Sequence, residues 1–411
     1  MTNGADKKKN NPLSDIVSSQ YEKWTYPKPI LDLDQWLENN WQWFDPIHAH
    51  RIFWPDQDYR HGLDILIAGC GTNQAAVFAY NNPQANVVGI DVSRSSLEHQ
   101  RYLIEKYKMK NLELYLLPIE DVGQLNRQFD LIVSTGVLHH LADPQKGLQA
   151  LAGCLKPLGV VALMLYAKYG RMGVEILQSV CRDLGLVQNE ESLAVVKNML
   201  SILPQNHPIQ SYISIAPDLQ YDAGLVDTFL HGRDTSYTVK ECINLVADAG
   251  LVFQDMYIKS PYYPPTNSSN AFISSVLKQP EEKQWSIMER INFENSCHFF
   301  TACRRDRPQE SYKIDFADSN FLDYRPQLRF RCALNGDTLS RYNWSTQLGS
   351  IETAFIQRID GDRTIRKIIA DASQTKLLVN MKMVELEKLA KNLFQRLWRL
   401  DFLVMGLGRT S

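Results

Sequence analysis

No apolar run in this sequence approaches the roughly 20 residues of a membrane span. Residues 1–10 are polar and lysine-rich with no apolar stretch behind them, so neither a membrane protein nor a secreted one is expected. The seven cysteines, Cys70, Cys154, Cys181, Cys242, Cys297, Cys303 and Cys332, are scattered, odd in number and form no Cys-x-x-Cys pair. That pattern argues against a disulfide framework or a zinc site, and reduced thiols in a cytoplasmic protein without a metal are expected. Charge is also scarce in sum: the net value is −2, although residues 312–411 carry a surplus of +5 and the remainder −7. In the C-terminal helices the two signs alternate, so no basic stripe for a phosphate backbone forms and nucleic acid is not an expected partner. No internal repeat is evident.

What is present suffices for at least two domains, with 411 residues, 44% hydrophobic and 22% charged. Residues 1–11 are expected to be disordered. Residues 12–60, rich in Trp, Tyr and Pro, are read as a segment packed on a larger domain. From Leu63 short apolar runs alternate with helical periodicity, the mark of βα units on a parallel sheet. Strands are expected at 64–68, 87–90, 112–117, 129–134 and 159–166. Leu148, Leu151, Ala152 and Leu155 fall on one helical face. Thr238 with Glu241 makes a capping box, Gly250 ends that helix, and a strand follows near 252–258. The charged segment 304–311 reads as a linker. Beyond it come a strand near 328–333, helical segments around an Asp360-Gly361 turn, a last helix with a Leu386, Leu389, Leu393, Leu397 face, and a strand near 402–405.

The sharpest local signal is residues 65–73, Ile-Leu-Ile-Ala-Gly-Cys-Gly-Thr-Asn: a buried strand, a Gly-x-Gly turn, then a helix. Gly69 and Gly71 let the backbone turn sharply and approach a ligand, while the helix start offers unpaired N–H groups. A structural turn explains such a pair about as well as a nucleotide does. Asp91 ends the next strand, 22 positions after Gly69, where a carboxylate can accept both ribose hydroxyl protons. A turn or cap residue is the plainer explanation of Asp91, and Ser93 is an equally good cap.

Together with residues 117–121, Leu-Pro-Ile-Glu-Asp, and residues 129–141, Phe-Asp-Leu-Ile-Val-Ser-Thr-Gly-Val-Leu-His-His-Leu, these motifs resemble the class I S-adenosylmethionine-dependent methyltransferases. The resemblance covers Gly62 to about Tyr166. It implies a Rossmann-like, doubly wound α/β domain over 61–303, with an acceptor-side insertion at about 167–236 and S-adenosylmethionine as cofactor. It assigns cofactor contacts to Ala68, Gly69, Cys70, Gly71, Asn73, Asp91, Val92, Ile119, Glu120, Ser134, Thr135 and Gly136. Three positions depart from the family pattern. Ile67 replaces an acidic residue that contacts the methionine amine; Asn73 replaces a third glycine, as a residue that tolerates left-handed backbone; Pro118 replaces the adenine-edge aspartate. The string at 20–27, Gln-Tyr-Glu-Lys-Trp-Thr-Tyr-Pro, is similar to a bacterial subgroup often fused to tetratricopeptide repeats, which are absent here.

Methyl transfer from a sulfonium is an in-line displacement that needs proximity and alignment, and a base only when the acceptor atom is protonated. His139, His140 and Tyr166 are the candidates. One of the adjacent histidines is expected to point inward as a structural residue. Tyr169, Arg171, His231 and Arg233 are candidates for substrate contacts, with a salt bridge as the plainer alternative for Arg171 and loop polarity for His231 and Arg233. Residues 312–405 resemble small winged-helix domains of the PqqD-like type, some of which bind peptides. With the surplus of +5, that resemblance points to a protein or peptide substrate, with a packing or dimerisation role, or a small-molecule acceptor, as the alternatives.

Overall fold

The computed structural model describes residues 11–265 and 270–408; the segment expected to be disordered lies, but for its last residue, outside them. Two compact units form. One comprises 11–44, 61–255 and 289–306, the other 45–60, 256–288 and the chain from 307 onward. The boundary thus cuts across the sequence-based segments, because 45–60 and 256–288 are tied to C-terminal residues by specific hydrogen bonds. Arg51 donates to the Gly361 carbonyl at 2.7 Å, and Arg307 donates to the Phe53 carbonyl at 2.9 Å. The Asp401 carboxylate accepts from the Lys259 and Ser260 N–H groups and pairs with Arg329 at 2.6 Å. Only 3% exposed, Arg307 makes 304–311 part of the packed structure rather than a free linker.

The first unit is built on the expected α/β sheet. Its strands are β1 (Asp64–Ala68), β2 (Asn86–Asp91), β3 (Leu112–Leu116), β4 (Phe129–Thr135), β5 (Leu155–Tyr166), β6 (Leu251–Met256) and β7 (Cys297–Arg304), in the order β3-β2-β1-β4-β5-β7-β6. β1 to β5 run parallel, and β7 is antiparallel to β5. The strand β7 was not expected from the sequence, though its apolar run Phe299, Phe300, Ala302, Cys303 is a usable signal. The central strands are buried on both faces, hence their unbroken Ile, Leu and Val. The helix before β5 stops at Gly153, so Leu155 is the first residue of the strand and not part of the helical face. Strand pairing with Phe129 holds it there. The Thr238 capping box forms as expected, and Gly250 ends its helix at φ +80°.

Four helices fill the insertion between β5 and β6: Met172–Asp183, Glu190–Ser201, Ile209–Ile213 and Asp222–Phe229. They close on a core of Val174, Leu193, Val196, Ile209, Val226 and Phe229, and so carry Asp227 into the interior of the unit.

In the second unit, β8 (Arg325–Leu328) pairs with β12 (Leu403–Gly406), and β9 (Ala333–Asn335), β10 (Thr338–Arg341) and β11 (Trp344–Gln347) form an antiparallel meander. The strand expected at 328–333 is instead a turn between β8 and β9, closed by the Cys332 N–H donating to the Arg329 carbonyl, with Arg331 at φ +61°. On the last helix, Met383–Arg399, Leu386, Leu393 and Leu397 are buried with Ala390 and Phe394, but Leu389 is 39% exposed. The buried stripe therefore follows 386, 390, 393, 394, 397, at the 3.6-residue period.

Candidate active site

The cofactor end of the site grows from the carboxyl edge of β1 and β2. Gly69 and Gly71 sit at φ +79° and +51°, where an L-residue is strained. Asp91 locks the turn: one carboxylate oxygen accepts from the Gly71 N–H at 2.8 Å and the other from the Ser93 N–H at 2.9 Å. Burial pushes its carboxyl pKa up, against these stabilising N–H groups. Ser93 is the helix cap, accepting from the Ser96 N–H, so Asp91 is left with its remaining lone pairs for a ligand. Gln100 ties down the Cys70 and Gly71 carbonyls from beneath, at 3.0 and 2.8 Å.

Asn73 differs from expectation. Its φ is −137°, outside the left-handed region, because its side chain is committed elsewhere. Its Oδ1 accepts from the Ile30 N–H and its Nδ2 donates to the Lys28 carbonyl. Thr72 donates to the Pro27 carbonyl at 2.8 Å. The amino-terminal segment is thereby strapped over the Gly-x-Gly turn, with Pro27 placed so that a Cβ on Gly71 would meet its ring at 3.0 Å.

Ala68 and Cys70 are buried at the turn, and Val92 follows Asp91 half-buried. Ile119 and Glu120 open a 3₁₀ segment, Ile119–Leu125, and partial burial pushes the Glu120 carboxyl up. At the end of β4, Ser134 is buried with its hydroxyl unpartnered, Thr135 accepts from Gln74 at 3.2 Å, and Gly136 adopts φ +75°.

At Gly69 an added Cβ would lie 2.4 Å from a Val137 methyl. Gly69→Ala is therefore expected to destabilise the protein by about 2 kcal/mol or more, from the positive φ and the overlap together. Thermal unfolding against Gly62→Ala, where a Cβ meets nothing within 4 Å, checks this; equal melting temperatures would refute it.

The second half of the site is a buried cluster that joins four parts of the chain. Tyr166 is sandwiched: His139 stacks on it with centroids 3.8 Å apart, and the Arg171 guanidinium lies 3.6 Å from its ring centroid. Arg171, 1% exposed, donates to Asp234 at 3.1 Å and to the Tyr212 hydroxyl at 3.0 Å. It is thus a structural cation rather than a free one. Arg233 pairs with Asp15 at 3.0 Å and also donates to the His140 carbonyl. Tyr169 is half-buried beside the cluster in sequence, its carbonyl accepting from the Met172 N–H.

The two histidines differ. His140 Nδ1 lies 2.9 Å from the Arg233 carbonyl, which can only accept, so Nδ1 carries the proton and Nε2 the lone pair. That Nε2 is buried with no partner, and burial lowers the ring's pKa, so it is neutral near pH 7. An unpartnered Asp234 oxygen lies 3.8 Å from Nδ1, ready to stabilise an imidazolium. His139 has both ring nitrogens unpartnered and is packed between Tyr166 and His140. Burial drives the Tyr166 phenol pKa well up, which disfavours a phenolate base.

His231, stacked on His140 at 3.8 Å and 21°, accepts the Arg233 N–H at Nδ1, so Nε2–H points to the Tyr21 hydroxyl at 3.3 Å. Tyr21 donates in turn to Asp227 at 2.9 Å. His140, His231 and Asp227 bring ligand-type atoms within 4.8 Å of one another. The nearly parallel imidazoles do not aim their in-plane lone pairs at one point, and the relay fits them better than a metal ion does. Tyr21 lies in the string at 20–27 but, like Asp227, has no role assigned from the sequence: partners 206 positions apart give no local signal.

Residues 66–161 match the family model described as a methyltransferase domain. This is a class I S-adenosylmethionine-dependent methyltransferase domain. An uncharacterized protein of Synechococcus sp. is 25% identical over 390 residues, 89% of each chain. A tRNA U34 carboxymethyltransferase of Saccharophagus degradans is 27% identical over 150 residues, 35% of this chain and 42% of that one. Among solved structures, PKMT2 from Rickettsia typhi in complex with AdoHcy shares the fold with a TM-score of 0.60 at 17% identity, over 87% of this chain and 75% of that one. That likeness extends well past the methyltransferase domain. The tetratricopeptide-fused subgroup and the PqqD-like type find no counterpart in these matches. Among the described residues, no helix is long and apolar enough to cross a membrane.

Proposed function

We propose that this chain is an active methyltransferase that carries the methyl group of S-adenosylmethionine by in-line displacement to a nucleophile on a protein or peptide. The observation that carries the reading is the Gly69–Gly71 turn closed by Asp91 within the methyltransferase domain. Asp91 takes the ribose hydroxyls, the Ile119 N–H and Glu120 the adenine edge, and Ser134, Thr135 and Gly136 line the reacting end. His140, neutral and with an unpartnered Nε2, is the base when the acceptor atom arrives protonated. A protein or peptide acceptor is supported by the C-terminal surplus of +5 and by the resemblance of residues 312–405 to peptide-binding domains. There a second contact would raise the acceptor's effective concentration.

A cofactor-binding protein without turnover is the rival, motivated by Ile67 and Pro118. Calorimetry with S-adenosylmethionine and S-adenosylhomocysteine is expected to show one site per chain; no binding to either at millimolar concentration sinks both readings. Labelled methyl transfer into a cell extract, fractionated into protein, nucleic acid and small molecules, separates them: label in protein is expected, and no label in any fraction favours the rival.

A further inference from the structure

The geometry points to Asp227 as the residue that receives a primary ammonium group in the site just proposed. Asp227 is 2% exposed. Its hydrogen-bond partners are two neutral groups, the Tyr21 hydroxyl at 2.9 Å and the Gln20 amide at 3.4 Å. The nearest cationic candidate, Arg171, is instead engaged by Asp234 and Tyr212. A buried carboxylate with no cation against it is among the most unfavourable arrangements a protein retains. Asp234, a few residues on, shows the ordinary solution, with an arginine beside it.

The surroundings fit a cation. Tyr21, Tyr26 and Tyr166 all feel the Asp227 charge, and each is a neutral phenol that leaves it uncompensated. A ring nitrogen of His140 lies within 4.8 Å of the carboxylate, and the His140 Nε2, 3% exposed as a residue, has no partner. Tyr21, which donates to Asp227, also feels the Asp91 charge. Burial pushes the Asp227 carboxyl up to about 7, and a cation beside it would bring it back down.

Two ammonium groups can occupy that position. One is the α-ammonium of the cofactor's methionine, which here lacks an acidic residue at position 67, where Ile67 stands. The other is the amine of an acceptor. The inference rests on the methyltransferase reading, and the experiment separates their failures. Affinities of S-adenosylhomocysteine, which carries the α-ammonium, and of 5′-methylthioadenosine, which lacks it, are measured on the full chain, on Asp227→Asn and on the charge-preserving Asp227→Glu. In parallel, labelled methyl transfer to polylysine is followed.

If the cofactor's ammonium is held, Asp227→Asn weakens S-adenosylhomocysteine at least tenfold and leaves 5′-methylthioadenosine within twofold, with Asp227→Glu in between. If the acceptor's amine is held, both affinities stay within twofold and transfer to polylysine falls at least tenfold. Asp227→Asn leaving affinities and transfer unchanged, or weakening both nucleosides equally, overturns the assignment while the methyltransferase reading stands. Failure of the unaltered chain to bind either nucleoside overturns both.

Discussion

Asp91→Ala is expected to weaken S-adenosylmethionine binding by at least about a hundredfold. Each hydrogen bond from a ribose hydroxyl to the charged carboxylate is worth about 1.5 to 3 kcal/mol, and two are lost together. The structure adds a second reason. The same carboxylate holds the Gly71 and Ser93 N–H groups, so alanine also strips two N–H donors of their acceptor and loosens the turn that the cofactor needs. Asp91→Asn is expected to fall between, because its amide oxygen still accepts one of these N–H groups but carries no charge. Calorimetric titration with S-adenosylhomocysteine measures both. A folded Asp91→Ala protein that binds as tightly as the unaltered chain would show that the ribose does not sit there.

His140→Ala is expected to lower kcat by about 10²- to 10⁴-fold for an acceptor that must lose a proton, while cofactor affinity stays within about twofold. The tautomer is the reason. The Arg233 carbonyl fixes the proton on Nδ1, burial keeps the ring neutral, and Asp234 stands ready for the imidazolium that forms. His139→Phe retains the stacking on Tyr166 and removes two nitrogens that have no partner, so its kcat is expected within about tenfold of the unaltered chain. Single-turnover transfer with labelled cofactor separates the pair. Equal loss in both variants, or a loss in His140→Ala that appears only as weaker cofactor binding, would remove His140 from the proton path.

Local sequence by itself determined the elements that need only short-range information. The parallel strands are uninterrupted apolar runs, the Gly-x-Gly turn requires residues free to take positive φ, and the Thr238 box closes within four residues. Asp91 was legible for the same reason: a strand end at a fixed distance from the turn has one place to go. Tertiary structure alone decided the rest. Leu389 is exposed and Ala390 buried because a neighbouring helix selects the stripe, and Asn73 is diverted from backbone geometry to holding Ile30 and Lys28. Arg171 has the look of a ligand for an anion until Asp234 and Tyr212 are seen to hold it. The Tyr21–Asp227–His231 relay assembles an amino-terminal helix with the insertion helix and the loop after it. Groups more than 200 positions apart in the chain meet only when the apolar cores around them close, and no periodicity or spacing encodes which polar side chains that closure will bring face to face.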